Sequence, residues 1–480
     1  MRVAVVGLGY VGLVTSACLA DLGHEVIGVE VSAERIRALR AGSIPFHEPG
    51  LAELTQRNHD LGRLRFTDDP SAVAEAAVVL IAVGTHDGNG GWQTGTIQSC
   101  LHDIVPLLAD GATLVVRSTL PPGFLSQLPK IVSRIRQEAG LPLVPVLLNP
   151  EFTKEGTAVD DFLRPERVVI GVGLDIDGRG ESALRQLYAE TDAPIVTMSA
   201  TNASLSKLGA NLFLATKISF ANELAQLCDL YGGDIEQVVS AMAFDSRIGG
   251  SFLRAGIGFG GSCLPHQVTM TVLGAAEAGV ATPLFAAVDE VNHRQRRMLV
   301  DRLAEQLGGS LAGQRIAILG VTFKPDTDDL REAPSIAIAR ELIARGASVV
   351  AFDPMTSALD RFAGLVPGVE TASSPLEALT GADGAALVTE WPMLRALDWS
   401  EAARVMRSAV IVDGRNALPV AALVAAGFDV TTFGRGRTRA TEVDSEIDDE
   451  LVAVMEEDGY AAPPSPARAR AGGASLARLE

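Results

Sequence analysis

The stretch Gly7-Leu8-Gly9-Tyr10-Val11-Gly12 lies between two apolar segments and decides the fold of the first part of the chain. Residues 2–6 before it are typical of a buried parallel strand, and residues 13–22 after it form an apolar helical pattern. A second strand pattern over residues 25–29 ends at Glu30. This order of strand, glycine motif, helix, strand and acid predicts a Rossmann unit that binds a dinucleotide.

Each position of the motif has a physical role in dinucleotide binding. Gly7 makes the tight turn, Gly9 lets a pyrophosphate approach the backbone, and Gly12 permits close packing of the helix on the strand. The helix N-terminus would face the phosphates, and Glu30 would accept hydrogen bonds from the adenosine ribose. Because a carboxylate there repels a 2′-phosphate, the sequence predicts NAD rather than NADP as the cofactor.

Strand and helix patterns continue to alternate beyond Glu30, which predicts a doubly wound parallel sheet. Further strand patterns lie at residues 77–83, 113–117 and 143–148. Thr85, Thr119 and Glu151 each follow a predicted strand end, where ligands bind in such sheets. Taken singly, they are explained equally well as helix caps and a solvated carboxylate.

A long helical pattern covers residues 201–231, and helical character continues over residues 241–252 and 267–302. Lys207 and Asn211 are four residues apart and share one helix face. They are either a solvated lysine and a satisfied amide, or a polar pair aimed at a site. A helix of this length between two α/β units is typical of a dimerisation surface, so we expect a homodimer or a higher homo-oligomer.

A second α/β unit is predicted from the apolar strand at residues 316–319, with further strand patterns at 348–352, 384–389 and 409–412. Its first turn, residues 320–325, lacks the G-x-G-x-x-G motif, so we expect it to bind a nucleotide differently or not at all. The predicted fold class is therefore α/β, with two Rossmann-like doubly wound domains joined by a central helical region with one long helix.

We predict four segments with distinct roles. The segment 439–480 carries only acidic charges between residues 442 and 458 and a Pro-rich stretch after them, so it is predicted to be disordered. The predicted segments are an NAD-binding domain at 1–200, a central helical domain at 201–305, a C-terminal Rossmann-like domain at 306–438, and this tail.

A second glycine-rich stretch, Gly258-Phe259-Gly260-Gly261-Ser262-Cys263-Leu264-Pro265, places a thiol at the end of a loop. A thiolate there could attack a carbonyl carbon, although the stretch alone equally fits a buried structural cysteine. The dinucleotide signal before it and the second α/β unit after it favour a nucleophile at Cys263.

Composition excludes several classes of function. The net charge of −19 disfavours binding to nucleic acid or to an anionic membrane. The four cysteines are far apart, so neither a disulfide framework nor a metal site is indicated. No secretory signal and no membrane-spanning stretch is evident, so a cytoplasmic location is expected.

Together these motifs resemble the UDP-glucose/GDP-mannose dehydrogenase family over residues 1–435. The resemblance implies an NAD-dependent four-electron oxidation of the C6 alcohol of a nucleotide sugar, with UDP-glucose as the expected substrate. Another nucleotide hexose and a non-catalytic sugar-nucleotide-binding protein remain open alternatives. The segments that carry the resemblance are residues 7–12, 47–51, 149–152, 207 with 211, 258–265, 323–329 with 331–332, and 413–415.

The resemblance also implies roles for individual residues. Cys263 would attack the aldehyde formed by the first oxidation, and the resulting thiohemiacetal would be oxidised to a thioester and hydrolysed. Lys207 and Asn211 would stabilise oxyanions. Glu151 would act as a general base or position a water, which Thr119 would help to hold.

The same resemblance implies that residues 201–305 form the dimerising domain with the catalytic cysteine and that residues 306–438 bind the sugar nucleotide. It also implies individual binding positions. Arg247 matches a family arginine that reaches the substrate of a neighbouring subunit. The implied cofactor-binding residues are Gly7, Gly9, Tyr10, Val11, Gly12, Glu30, Arg35, Thr85, Thr119, Glu155 and Arg331. The implied substrate-binding residues are Glu151, Phe152, Lys207, Asn211, Arg247, Phe252, Gly260, Phe323, Lys324 and Arg415.

The chain departs from the family pattern at two places. After Cys-Leu-Pro the family usually continues Lys-Asp, whereas this chain has His266-Gln267. Gln267 can hydrogen-bond a water but cannot accept its proton, which predicts an enzyme impaired at thioester hydrolysis as a further alternative. The second departure is the loop 86–94, which lies near the cofactor in the family. His86 or His266 could supply the base that Gln267 lacks, or each is a simple surface histidine.

Overall fold

The structure is a computed structural model that describes residues 1–85 and 93–438. The predictions for the loop at residues 86–92 and for the tail at residues 439–480 fall outside these ranges.

The strands of the first unit are β1 (Arg2–Val6), β2 (Glu25–Val29), β3 (Leu64–Thr67), β4 (Val78–Ile81), β5 (Thr113–Val116), β6 (Val146–Leu148), β7 (Val168–Leu174) and β8 (Ile195–Ser199).

Within the described ranges these strands form one sheet in the order β3-β2-β1-β4-β5-β6-β7-β8. The pairs are parallel except β6 with β7. Every residue of β4 and β5 is buried, as expected where helices cover both faces of a parallel sheet. The helices of this unit are α1 (Tyr10–Asp21), α2 (Ala33–Arg40), α3 (Leu51–Asp60), α4 (Thr94–Ile104), α5 (Pro122–Leu125), α6 (Leu128–Glu138), α7 (Ala158–Leu163) and α8 (Arg179–Leu187), with short 3₁₀ helices at Pro70–Glu75 and Val105–Leu107.

The turn between β1 and α1 is as tight as the glycine motif predicts. Gly7 has a φ of +91°, which favours glycine. A Cβ atom on Gly12 would lie 1.8 Å from the Gly7 carbonyl oxygen, whereas one on Gly9 would meet nothing within 4 Å. Gly12 therefore brings α1 against β1, and Gly9 leaves free space at the helix N-terminus.

The central region consists of four helices within the described residues: α9 (Ala200–Tyr231), α10 (Ile235–Ala243), α11 (Leu264–Glu277) and α12 (Pro283–Gln306). The side chain of Ser199 caps α9 by accepting from the Asn202 amide, and Gly232 ends it with a φ of 72°. The prediction of helix over residues 241–252 is wrong, because α10 ends at Ala243. The Asp245 carboxylate binds the Arg247 amide in the turn that follows.

The second unit repeats the Rossmann arrangement, with seven described strands in its sheet where the first unit has eight. Its strands are β9 (Arg315–Leu319), β10 (Ser348–Phe352), β11 (Val369–Thr371), β12 (Gly384–Leu387), β13 (Val410–Asp413), β14 (Asp429–Thr431) and β15 (Arg437–Thr438). They lie in the order β11-β10-β9-β12-β13-β14-β15, and only β15 is antiparallel within the described sheet. Its helices are α13 (Pro334–Ala344), α14 (Thr356–Leu365), α15 (Pro375–Leu379), α16 (Pro392–Arg395), α17 (Trp399–Val405) and α18 (Val420–Ala425).

The predicted fold class is confirmed, because two doubly wound units flank a helical region with one long helix. Helices cover both faces of each sheet, and an apolar core lies between the sheet and each of the two helix layers. In the described part of the chain, we find no helix with the length and apolar character that a membrane span requires.

The carboxyl end of β10 shows one way in which the second unit differs from the first. Asp353 stands there, where Glu30 stands in the first unit, and it is buried. Its Oδ2 accepts hydrogen bonds from the Val321 and Thr322 amides and from the Trp391 indole. Glu30 also accepts from backbone amides, so the hydrogen bond from the Trp391 indole is what distinguishes Asp353 from it.

Substitution of Gly12 by alanine should destabilise the first unit by at least about 2 kcal/mol, because the added methyl group meets backbone that cannot move aside. Gly9→Ala is the matched control and should change stability by no more than about 0.5 kcal/mol. Thermal unfolding of both variants checks this. Equal unfolding temperatures for the two would contradict it.

Candidate active site

The carboxyl ends of both sheets, the helix α9 and the Gly258–Cys263 loop meet around one cavity of about 1670 Å³. Six side chains predicted to be catalytic line this cavity. They are those of Thr119, Glu151, Lys207, Asn211, Cys263 and Gln267. The structure thus brings together residues that are up to 148 positions apart in sequence, between Thr119 and Gln267.

The loop before Cys263 is compressed between the central helices and the second unit. A Cβ atom on Gly258 would lie 2.2 Å from Asn292 Oδ1, and one on Gly260 would lie 2.5 Å from the Glu332 carbonyl oxygen. The Gly261 amide donates to the Arg331 carbonyl at 3.0 Å. Glycine is therefore required here for close approach of the backbone, which fixes where the following thiol stands.

Cys263 directly precedes α11 and is solvent-exposed within the cleft. The surrounding protein and the Glu151 carboxylate raise the pKa of the Cys263 thiol above its ordinary value, whereas Lys207 and the Ser262 hydroxyl lower it. The raising effects prevail, so the group is a thiol rather than a thiolate at neutral pH. A reaction at Cys263 therefore has to move the thiol proton as the sulfur attacks.

Lys207 and Glu151 form a buried ion pair on the cleft wall, with 3.5 Å between Nζ and Oε1. Burial raises the pKa of the Glu151 carboxyl, but Lys207, Thr153 and Arg117 together hold it below its ordinary value. Glu151 is therefore ionised at neutral pH. A carboxylate of low pKa orients a water well but is a weak proton acceptor.

The side chains of Asn211 and Gln267 form a direct hydrogen bond in the wall of the cleft. Asn211 Nδ2 donates to Gln267 Oε1 at 2.9 Å, and both side chains are buried. Gln267 can still offer a ligand its NH₂ group and the second lone pair of its oxygen. The pair therefore supplies hydrogen-bond donors next to the thiol, where an oxyanion would need them.

Two arginines of the cleft were missed by the sequence analysis. Arg117 is buried at the end of β5, where its Nη1 donates to Asn149 Oδ1 at 2.6 Å. The Arg167 guanidinium lies 4.0 Å from the centre of the Phe152 ring, with Lys207 Nζ 5.1 Å from the same ring. The signal for Arg117 was available, since a charged residue directly follows a fully apolar strand.

In the first unit, the residues predicted to bind the cofactor lie where they can hold a dinucleotide. The space at Gly9 is open, and Glu30 is buried at the end of β2. Glu30 Oε2 accepts from the Leu8 amide at 2.9 Å and from Arg35 Nη1 at 3.2 Å. Other predicted cofactor residues line the cavity, namely Gly9, Tyr10, Val11, Thr85, Thr119, Glu155 and Arg331.

Glu155 belongs to a cluster of charges between the first and second units. Arg331 binds both Glu155 and Asp329, at 3.1 and 2.6 Å. Burial and the neighbouring Asp329 raise the pKa of Glu155 to about 8, although Arg331 and Lys324 lower it. The Glu155 carboxyl therefore retains its proton at neutral pH.

Most predicted substrate residues lie in the same cavity, but two of the basic ones are already engaged in other contacts. Arg415 donates to the carbonyls of Gly258, Phe323 and Val388, so it also joins the thiol loop to the second unit. Arg247 does not line the cavity; it pairs with Asp245 on the surface. The predicted substrate residues that line the cavity are Glu151, Phe152, Lys207, Asn211, Phe252, Gly260, Phe323, Lys324 and Arg415.

Three family models match successive parts of the chain. The NAD binding domain of the UDP-glucose/GDP-mannose dehydrogenase family matches residues 1–192, its central domain residues 201–294, and its UDP binding domain residues 317–420. The chain belongs to this family. It is an NAD-dependent nucleotide-sugar dehydrogenase.

Related proteins are similar in sequence to this chain along most of its length. The UDP-glucose 6-dehydrogenases of Pseudomonas aeruginosa and Rhizobium meliloti are 40% and 37% identical to it, in each case over 91% of this chain and 98% and 100% of the relative. A UDP-glucose dehydrogenase structure from Pyrobaculum islandicum matches this family member with a TM-score of 0.80 and 36% identity, covering 88% of this chain and 95% of that one.

Glu155 should make this dehydrogenase less stable as the pH rises. Because its folded pKa of about 8 lies above its ordinary value of 4.5, the folded state binds a proton that the unfolded chain releases between these values. The stabilising proton is present at low pH and is lost as the pH rises through about 8. Glu155→Gln should therefore gain stability relative to wild type as the pH rises, by up to about 1.4 kcal/mol per pH unit.

Thermal unfolding of both proteins from about pH 5.5 to about pH 8.5 measures this difference. Glu166→Gln is the matched control, because the Glu166 side chain is 93% exposed. If wild type and Glu155→Gln have parallel stability profiles over this range, the raised pKa is wrong.

Proposed function

We propose that this protein oxidises the C6 alcohol of UDP-glucose to the carboxylate of UDP-glucuronate through a covalent intermediate on Cys263. The observation that carries the proposal is the exposed thiol at the meeting point of an NAD-binding and a UDP-binding unit, with Lys207, Asn211 and Glu151 beside it. The names and identities of the relatives support UDP-glucose as the substrate.

The first oxidation converts the C6 alcohol into an aldehyde. When bound, NAD would supply the hydride acceptor for each of the two oxidations. The oxygen on C6 gains negative character as its proton passes to water in the cleft, and Lys207 and the Asn211 amide stand where they can stabilise it. The Lys207–Glu151 pair is buried from water, and the interaction of Lys207 with a negative charge on the substrate oxygen is stronger in such an environment.

Covalent catalysis then retains the aldehyde. The sulfur of Cys263 forms a bond to C6 while the thiol proton passes to the carbonyl oxygen, which gives a thiohemiacetal. Loss of a second hydride and of the hydroxyl proton leaves a thioester. Water adds to the thioester carbon, the carbon–sulfur bond breaks, and the products are the carboxylic acid and the free thiol.

Glu151 serves the hydrolytic step by positioning the water. Of the two roles considered for it, the low pKa favours orientation over proton abstraction. Thr119 lies at the end of β5 on the same cavity wall and would hold the water from the other side. Gln267 contributes a donor but no base, so hydrolysis is the step where this chain is expected to be slow.

We also propose a homodimer formed through the central helices. On α9 the side chains of Leu205, Phe213, Phe220, Leu227, Leu230 and Tyr231 are exposed. An apolar surface of this kind marks an interaction site. The Arg247 side chain is 88% exposed, so it can leave its pairing with Asp245 and reach the substrate of a partner subunit. The cytoplasmic location and the four-segment division of the chain remain predictions.

Incubation with UDP-glucose and NAD should give about two NADH for each UDP-glucuronate, measured by absorbance and by chromatography of the sugar nucleotide. A panel with other nucleotide hexoses tests the alternative substrates. Cys263→Ser should lose at least about a thousandfold in overall rate. Binding of UDP-glucose without any NADH, and no effect of Cys263→Ser, would instead identify a non-catalytic sugar-nucleotide-binding protein.

An acyl adduct on Cys263 should accumulate during turnover if hydrolysis limits the rate. Intact-mass measurement of the protein under saturating substrate detects it. Gln267→Glu keeps the side-chain length and an oxygen for Asn211 while adding a base, so it should remove the adduct and raise kcat by up to about a hundredfold. Unmodified protein and an unchanged kcat in that variant would exclude slow hydrolysis.

A further inference from the structure

Glu48 is a buried carboxylate outside the set of residues assigned above. It lies between β2 and β3 in sequence, just before α3, and is 5% exposed. Its two oxygens accept three short hydrogen bonds: Oε2 from the Tyr10 hydroxyl at 2.5 Å and from the Gly156 amide at 2.6 Å, and Oε1 from the Ala158 amide at 2.7 Å.

These three donors come from two segments that face the cleft from different sides. Tyr10 is the first residue of α1 and follows Gly9, where the dinucleotide pyrophosphate would approach. Gly156 and Ala158 end the segment that begins at Glu151 and includes Glu155. One buried carboxylate therefore ties the cofactor loop to the segment that carries Glu151 and Glu155.

We propose that Glu48 is a positioning residue, which holds Tyr10 and the 151–158 segment in register and thereby shapes the NAD site. The part that concerns NAD binding stands on its own, whereas any effect through Glu151 on the chemical steps rests on the proposed function. Tyr10 also packs on Phe46, with 4.9 Å between ring centroids, so its ring is held from two sides.

The protonation of Tyr10 suits this arrangement. Burial and the hydrogen bond to Glu48 raise the pKa of the Tyr10 phenol far above its ordinary value, so the hydroxyl remains a donor. The same junction reaches the second unit, because the His47 amide donates to Asp328 Oδ1 at 3.0 Å. Gly156, with a φ of +82°, lies against the Asp326 carbonyl, where a Cβ atom would come within 3.2 Å.

Glutamine at position 48 cannot replace the carboxylate. Its amide has one acceptor oxygen, and its NH₂ group would face an O–H or N–H donor. Glu48→Gln should therefore raise the dissociation constant of NADH about tenfold or more, the usual effect of losing a hydrogen bond to a charged group. Fluorescence titration with NADH, without any sugar nucleotide, measures this in the full-length protein.

A double-mutant cycle separates positioning from general stability. Tyr10→Phe removes one donor, and if Glu48 acts through Tyr10, the effects of Tyr10→Phe and Glu48→Gln on NADH affinity should be less than additive. Glu53→Gln, an exposed glutamate on α3, is the matched control and should leave NADH affinity unchanged.

The outcomes decide the proposal. Weaker NADH binding by folded Glu48→Gln, with non-additivity, supports it. A lower unfolding temperature with unchanged NADH affinity, or fully additive effects, overturns it by showing a purely structural role. If Glu48→Gln does not fold, Tyr10→Phe decides alone, since unchanged NADH affinity in that variant excludes the link. Absence of turnover in wild type would refute the proposed function but leave these binding results valid.

Discussion

The position of the reactive thiol depends on direct backbone contact between the central region and the second α/β unit. Amides of the loop at Ile257 and Gly261 donate to the carbonyls of Gly414 and Arg331, and Arg415 binds the Gly258 carbonyl from the same unit. Side chains at Gly260 and Gly261 would meet Glu332 and Phe323 of the second unit and push the two surfaces apart. These two glycines therefore determine domain docking as much as loop shape, and the geometry around Cys263 is a property of the interface.

Much of the fold could be predicted because its main signals are local. The β1–α1 turn is a consequence of steric limits at Gly7 and Gly12, and long apolar runs identify the buried strands. Six described strands were missed: β3, β8, β11 and β15 lie at sheet edges, where β8 and β11 carry mostly exposed or half-buried residues, and β7 and β14 lie inside their sheets. Their strand state depends on pairing with a neighbour, which short-range sequence patterns do not reveal.

The candidate site was predicted as a set of residues, but not as a network. The sequence places Lys207 on a helix face, yet the Glu151 carboxylate that pairs with it comes from a loop 56 positions earlier. Likewise, the bond between Asn211 and Gln267 depends on the packing of α9 against α11. The protonation states follow from these long-range contacts. The sequence alone therefore could not reveal that Glu151 is a weak base or that Glu155 retains its proton.

The difference between the two Rossmann-like units has a consequence for the order of events in the proposed reaction. The first unit has open space at Gly9 beside Glu30, whereas Asp353 of the second unit is bound by the Trp391 indole and backbone amides, so the described residues offer one dinucleotide crevice. If each sugar consumes two NAD molecules as proposed, they would occupy this crevice in succession. A covalent tether to Cys263 would then keep the half-oxidised sugar in place while the crevice is vacated and refilled.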